Sequence, residues 1–128
     1  MSDDKHKIKV SLDTGAKPPV TVSPEELCLK HDGTHKVIWK PADGTTAFVF
    51  HTLAIADTTF TNPVAGGKPG KKGPLSDVCV SDNKVTLKDK VDGAVVFPYV
   101  LTVKVGDTTY STEDPRQDGG TPKIRNQD

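Results

Sequence analysis

The residues best suited to chemistry in this 128-residue chain are its four histidines and two cysteines. His31 and His35 are four residues apart, with Asp32 between them. Two imidazoles and a carboxylate at this spacing could bind zinc or copper, from a helix or across a hairpin turn. The segment is rich in polar residues, however, and in a turn such side chains are usually solvated. We therefore predict no cofactor, and keep His31 and His35 as the ligands of an alternative in which the protein handles copper or zinc.

A basic cluster in a glycine- and proline-rich stretch is the next candidate. Lys68, Lys71 and Lys72 lie within residues 62–77, which also contain four glycines and three prolines. We predict that 62–77 is a long loop and that these lysines form an interaction loop for a partner protein. The stretch lacks the spacing of a phosphate-binding loop, so binding of anions or nucleic acid is the less favoured alternative.

The chain lacks the residue patterns on which nucleophilic catalysis depends. No serine has the Gly-x-Ser-x-Gly context of a nucleophile elbow, and Cys28 and Cys79 have no recognisable activating neighbours. His51 lies in an apolar run, which is typical of a half-buried histidine at a strand irregularity rather than of a catalyst. We predict that the protein is not an enzyme.

Charge and hydropathy restrict the partners further. Lys+Arg and Asp+Glu balance at 17 each, so no overall field attracts nucleic acid, and we expect none to bind. No apolar run is long enough to span a bilayer, and residues 1–7 lack a leader, so we predict a soluble cytoplasmic protein with no membrane partner. A secreted protein whose leader has been removed is the alternative.

Composition indicates that these residues are carried on strands. Asp outnumbers Glu by 14 to 3, which disfavours helix, and Val and Thr, at 15 each, favour sheet. Alternating apolar residues predict strands at Ile8–Leu12 and at Tyr99–Val105, the second turning at Gly106. Residues 78–87 read either as a hairpin or as one strand interrupted at Asp82. Residues 47–55 read as a strand covered on both faces, with a bulge near His51.

The stretch 23–32 allows two interpretations. Ser23-Pro24-Glu25-Glu26 has the capping residues of a short helix. The alternation of Leu27 and Leu29 instead favours a hairpin with the strand 36–40, turning near Gly33, and we prefer the hairpin. The order Cys28, Trp39, Cys79 resembles immunoglobulin domains and would imply a disulfide across a buried tryptophan; two free thiols are the preferred alternative.

About seven short strands separated by turns predict an all-β Greek-key sandwich, either cupredoxin-like or immunoglobulin-like. We assign residues 1–111 to one sandwich domain. Residues 112–128 are a polar C-terminal tail, with a terminal strand at 123–125.

A second resemblance covers more of the chain. The run Val22 to Trp39 has the form V-x-P…L-x-L…G…V-x-W, and Phe48–Phe50 and Tyr99–Val103 follow it; together these residues resemble the cupredoxin-like sandwich. The resemblance implies the fold without the electron-transfer function, because Leu101 stands where the copper-binding cysteine would be and no Cys-x-His-x-Met loop follows.

These observations together favour a non-catalytic β-sandwich module with a protein-interaction or structural role. Its partner is an unidentified protein, and edge strands could also pair two copies of the chain into a homo-oligomer. Metal handling through histidines is the alternative function.

Overall fold

The structure is a computed structural model that describes residues 4–15, 19–30, 33–62, 70–91, 93–112 and 122–126. The described residues form twelve β-strands and no helix. The strands are β1 (Asp4–Leu12), β2 (Val20–Ser23), β3 (Glu26–Leu29), β4 (Gly33–Pro41), β5 (Val49–Ile55), β6 (Thr58–Thr61), β7 (Gly70–Lys72), β8 (Leu75–Val80), β9 (Val85–Val91), β10 (Val95–Val105), β11 (Thr108–Ser111) and β12 (Lys123–Asn126).

The strands form two mixed sheets. The first has the order β2-β1-β4-β9-β8-β7, and the second has the order β3-β12-β10-β5-β6, with β11 beside the second half of β10. Most neighbours are antiparallel, but β1 pairs with β4 and β3 pairs with β12 in parallel. The predicted all-β sandwich is therefore confirmed.

The core lies between the two sheets and follows from the period-2 pattern. Along β4 the inward positions are His35, Val37 and Trp39, and all three are buried. Trp39 meets Tyr99 of the opposite sheet, with the ring centroids 5.4 Å apart and nearly perpendicular. The Trp39 Nε1–H donates to the Tyr99 hydroxyl over 3.2 Å, so the centre of the core carries a satisfied polar contact.

Several predicted elements are confirmed. Ile8, Val10 and Leu12 alternate inward along β1, and β8 and β9 form a hairpin joined through Ser81–Lys84. The bulge near His51 is also present, because the partner of Thr102 is Thr52 whereas the partner of Val103 is Phe50, which leaves His51 as the extra residue.

Two predictions, one about pairing and one about exposure, are wrong. Residues 26–29 form a strand as preferred, but β3 pairs with β12 in the second sheet and β4 pairs with β1 and β9 in the first, so the two do not form a hairpin. The chain changes sheets at the cis peptide between Ser23 and Pro24. β5 is covered on one face only, because Val49 is 40% exposed and Ala54 is half-buried.

The strand count and the loop 62–77 also need correction. Within that range, residues 70–72 and 75–77 belong to β7 and β8, while residues 63–69 lie outside the described part of the chain. Short edge strands such as β6 and β7 lack apolar alternation, which is why about seven strands were expected. Within the range assigned to the tail, the terminal strand expected at 123–125 is confirmed as β12, which lies between β3 and β10 and has Ile124 fully buried.

Candidate functional site: a buried polar cluster and an open strand edge

Four polar side chains lie at inward positions near one end of the sandwich. His6 continues the inward phase of Ile8 on β1, and His35 continues that of Val37 on β4. Asp89 follows Leu87 in the same way on β9, and Asn126 follows Ile124 on β12. We call His6, His35, Asp89 and Asn126 the polar cluster. It joins both sheets, because β12 belongs to the second sheet and the other three strands to the first.

Hydrogen bonds connect the polar cluster in two pairs. His6 Nε2 and His35 Nδ1 are 3.0 Å apart, and one of the two nitrogens must donate. Asn126 Nδ2 donates to Asp89 Oδ1 over 3.0 Å. His35 and Asp89 are neighbours across the β4–β9 ladder. His6 is half-buried, whereas the other three are at most 2% exposed.

Burial dominates the electrostatics of this cluster. Loss of solvent raises the pKa of Asp89 above its ordinary value, and this outweighs the opposing effects of the Asn126 hydrogen bond and the nearby His35. The second carboxylate oxygen, Asp89 Oδ2, and the amide oxygen, Asn126 Oδ1, are buried without a hydrogen-bond partner among the described residues. A carboxyl group in this setting favours its neutral form.

The position of His35 corrects the sequence interpretation of it as a solvated turn residue. It is 2% exposed on β4 and bonded to His6, because it shares the inward phase of Val37 and Trp39. Its proposed partners, His31 and Asp32, lie outside the described residues. Within the described part of the chain, no group of three or more His, Cys, Asp or Glu side chains could hold a metal ion.

The two cysteines are free thiols. Cys28 on β3 precedes Leu29, and Cys79 on β8 lies between Val78 and Val80. Leu29, Val78 and Val80 are buried, so each cysteine points to the opposite face of its strand. The thiols therefore lie on the outer faces of different sheets and cannot bridge across the core. The preferred interpretation, two free thiols and a core tryptophan, is confirmed.

The lysines of the predicted interaction loop are only partly described. Lys71 and Lys72 are exposed on β7, the outermost strand of the first sheet, and Lys68 lies outside the described residues. Charged side chains on an edge strand discourage pairing with another chain. Phe60 of β6 packs against Gly70 so closely that a Cβ there would stand 2.3 Å from its ring, which fixes this edge against the second sheet.

An open strand edge lies at the start of β10. β5 runs antiparallel to β10, and its last residue, Ile55, pairs with Tyr99. The chain then turns at Ala56–Asp57 into β6, so β5 does not reach residues 95–98 of β10. On the other side, Val95–Pro98 pairs with β12. The backbone N–H of Tyr99 donates to the Pro122 carbonyl. In this part of β10 the backbone N–H and C=O groups of the odd-numbered residues therefore face β12, and those of the even-numbered residues face the opposite side.

The turn and the first part of β10 enclose a groove of about 350 Å³. We call it the β10 notch; its lining residues are Ala56, Asp57, Val96, Phe97 and Pro98. Val96 directs its backbone N–H and C=O toward this groove, while Pro98, which has no N–H, offers only its carbonyl. Val95 and Val96 are 41% and 42% exposed, which is high for consecutive valines. Sequence analysis missed this site, because it depends on where β5 ends.

Comparison with known proteins adds no family to this description. The chain matches no protein-family model, and no curated protein is significantly similar to it. Within the described residues, no helix is long and apolar enough to cross a membrane.

Proposed function

We propose that the protein is a non-catalytic β-sandwich module that binds an extended segment of a partner protein by adding it as a strand at the β10 notch. The observation that carries this proposal is the half-paired state of Val95–Pro98. One side of this segment is bonded to β12, and the other side faces the groove without a neighbour among the described strands. Such an edge is a template for an incoming extended chain.

The lining of the notch suggests the chemistry of the incoming segment. Exposed Val96 and Pro98 favour apolar side chains, and Asp57 is exposed at the rim. A segment with β-branched residues and one lysine or arginine would therefore complement the groove in shape and charge. Pro98 limits the backbone pairing, so side-chain contacts must supply much of the specificity.

A library of random seven-residue peptides, displayed and selected on the wild-type protein, tests the proposal. Selected peptides should be enriched in β-branched and basic residues. Val96→Lys should weaken their binding at least tenfold, because a lysine facing an edge opposes strand addition. Asp57→Asn, which keeps a residue tolerated in the turn, should weaken binding of the basic peptides alone.

Val105→Lys is the matched control, since Val105 is 40% exposed on the same strand but lies outside the notch. It should leave peptide affinity unchanged. The proposal is wrong if the selected peptides bind Val96→Lys and wild type equally, or if selection yields no binder tighter than about 100 μM, roughly 5 kcal/mol of binding free energy.

Other parts of the functional interpretation stay predictions. The cupredoxin-like kinship would place the protein among sandwich domains without a copper site. An interaction module could also bind a partner through Lys68, Lys71 and Lys72. It could alternatively pair with a second copy of the chain through edge strands. Replacing the three lysines by serine would weaken partner binding through the lysines and leave peptide binding at the β10 notch unchanged.

A further inference from the structure

The contact between Asp89 and Asn126 crosses the core between the two sheets. Asp89 is completely buried on β9, and Asn126 is 1% exposed at the end of β12. The hydrogen bond between them runs from Asn126 Nδ2 to Asp89 Oδ1 over 3.0 Å. It joins the C-terminal strand to the opposite sheet.

The remaining oxygen of each group has no hydrogen-bond partner among the described residues. An ionised carboxylate and an amide oxygen are both acceptors, so neither can satisfy the other. One proton on Asp89 Oδ2 changes this, because a carboxylic acid can donate to an amide oxygen while its carbonyl accepts from the amide nitrogen. Buried polar groups are nearly always paired, which favours the protonated arrangement.

We propose that Asp89 is protonated in the folded protein at pH values where an unfolded aspartate is already ionised, and that it forms a reciprocal acid–amide pair with Asn126 that joins the C-terminal strand to the opposite sheet.

The groups around Asp89 are compatible with a neutral acid. From β4, His35 faces it, and from β1, His6 is hydrogen-bonded to His35. From β8 the neighbour is the apolar Leu75. Lys88 and Lys90 alternate to the outer face of β9, and Arg125 pairs with Glu26 on the outside of β12.

The direction of the pH dependence follows from the raised pKa of Asp89. An unfolded aspartate titrates near about 3.9. The stabilisation from a protonated Asp89 is complete below that value and is lost as the pH rises through the higher folded-state value. Between the two values, the folding equilibrium constant should fall about tenfold for each pH unit, relative to a variant with no titrating group at this position.

Asp89→Asn provides that variant, because its amide has the shape of the protonated acid and can likewise donate to the Asn126 oxygen. Urea unfolding at pH 4 and pH 7 should show variant and wild type similar at pH 4, with the variant more stable at pH 7. Asp43→Asn, at an exposed turn carboxylate, is the matched control and should show no such difference.

A direct readout needs no variant. The ¹³C chemical shift of the Asp89 carboxyl carbon in wild-type protein should still have the value of a protonated acid at pH 5, where an unfolded aspartate is already ionised, and should change only at higher pH. An ionised-type shift at pH 5, or an Asp89→Asn variant less stable than wild type at pH 7, would overturn the proposal.

Discussion

The Tyr99 hydroxyl is the only described partner of the buried Trp39 indole N–H. Replacing Tyr99 with phenylalanine keeps the edge-on ring contact and removes the acceptor. A buried donor left unsatisfied costs about 1–3 kcal/mol, so we expect Tyr99→Phe to lower the free energy of unfolding by that amount. Urea denaturation followed by tryptophan fluorescence would measure it. Tyr110→Phe, at a half-buried tyrosine with no described hydroxyl partner, should change it by less than about 0.5 kcal/mol.

The alternation of side chains along each strand explains which parts of the polar cluster were predictable. His35 and Asp89 continue the apolar alternation of Val37 and Leu87, so strand period alone places both side chains inward. The sequence interpretation followed residue type instead and assigned His35 to a solvated turn. The contact of His35 with His6 and that of Asp89 with Asn126 were not predictable, because they join residues 29 and 37 positions apart.

The turn between β5 and β6 places two non-glycine residues in the left-handed region. Ala56 has φ 53° and Asp57 has φ 59°, as a two-residue hairpin of the primed type requires. A left-handed conformation costs an ordinary residue about 1 kcal/mol. Asp57→Gly should raise the free energy of unfolding by at most about 0.5 kcal/mol, because aspartate tolerates this φ better than most residues and glycine adopts it without strain. Thermal or urea unfolding would measure the change.

The hairpin between β10 and β11 provides the opposite comparison. Gly106 has φ 60°, and a Cβ added there would meet no atom within 4 Å. Gly106→Ala should therefore lower stability by about 1 kcal/mol through the backbone alone. If Asp57→Gly and Gly106→Ala changed the free energy of unfolding equally and in the same direction, backbone strain would not be the cause of these changes.

Element type was predictable wherever a strand is long and faces the core. β1, β4, β9 and β10 carry clear alternation, and each was expected. β6 and β7 were not, since one contains three threonines and the other consists of one glycine and two lysines. Their pairing comes from the neighbouring strands and from the contact between Phe60 and Gly70, which local sequence does not encode.

Sheet membership is a property of the whole molecule. The parallel pairs β1–β4 and β3–β12 join residues far apart along the chain, and the second brings residue 26 beside residue 123. Periodicity fixes which face of a strand is buried but not which strand lies beside it. This is why the sandwich was predicted, while the hairpin of β3 with β4 was wrongly expected and the location of the β10 notch was missed.

The C-terminal strand gives the final prediction, because it lies between β3 and β10 although its sequence resembles a tail. Ile124 is fully buried there, so Ile124→Ala should lower the free energy of unfolding by about 2–5 kcal/mol, through lost burial and the cavity left behind. Arg125→Ala, which removes an exposed ion pair with Glu26 at 2.6 Å, should cost less than about 1 kcal/mol. Urea denaturation of both variants measures the contrast. If residues 122–126 were only a solvated tail, both variants would unfold at the wild-type midpoint.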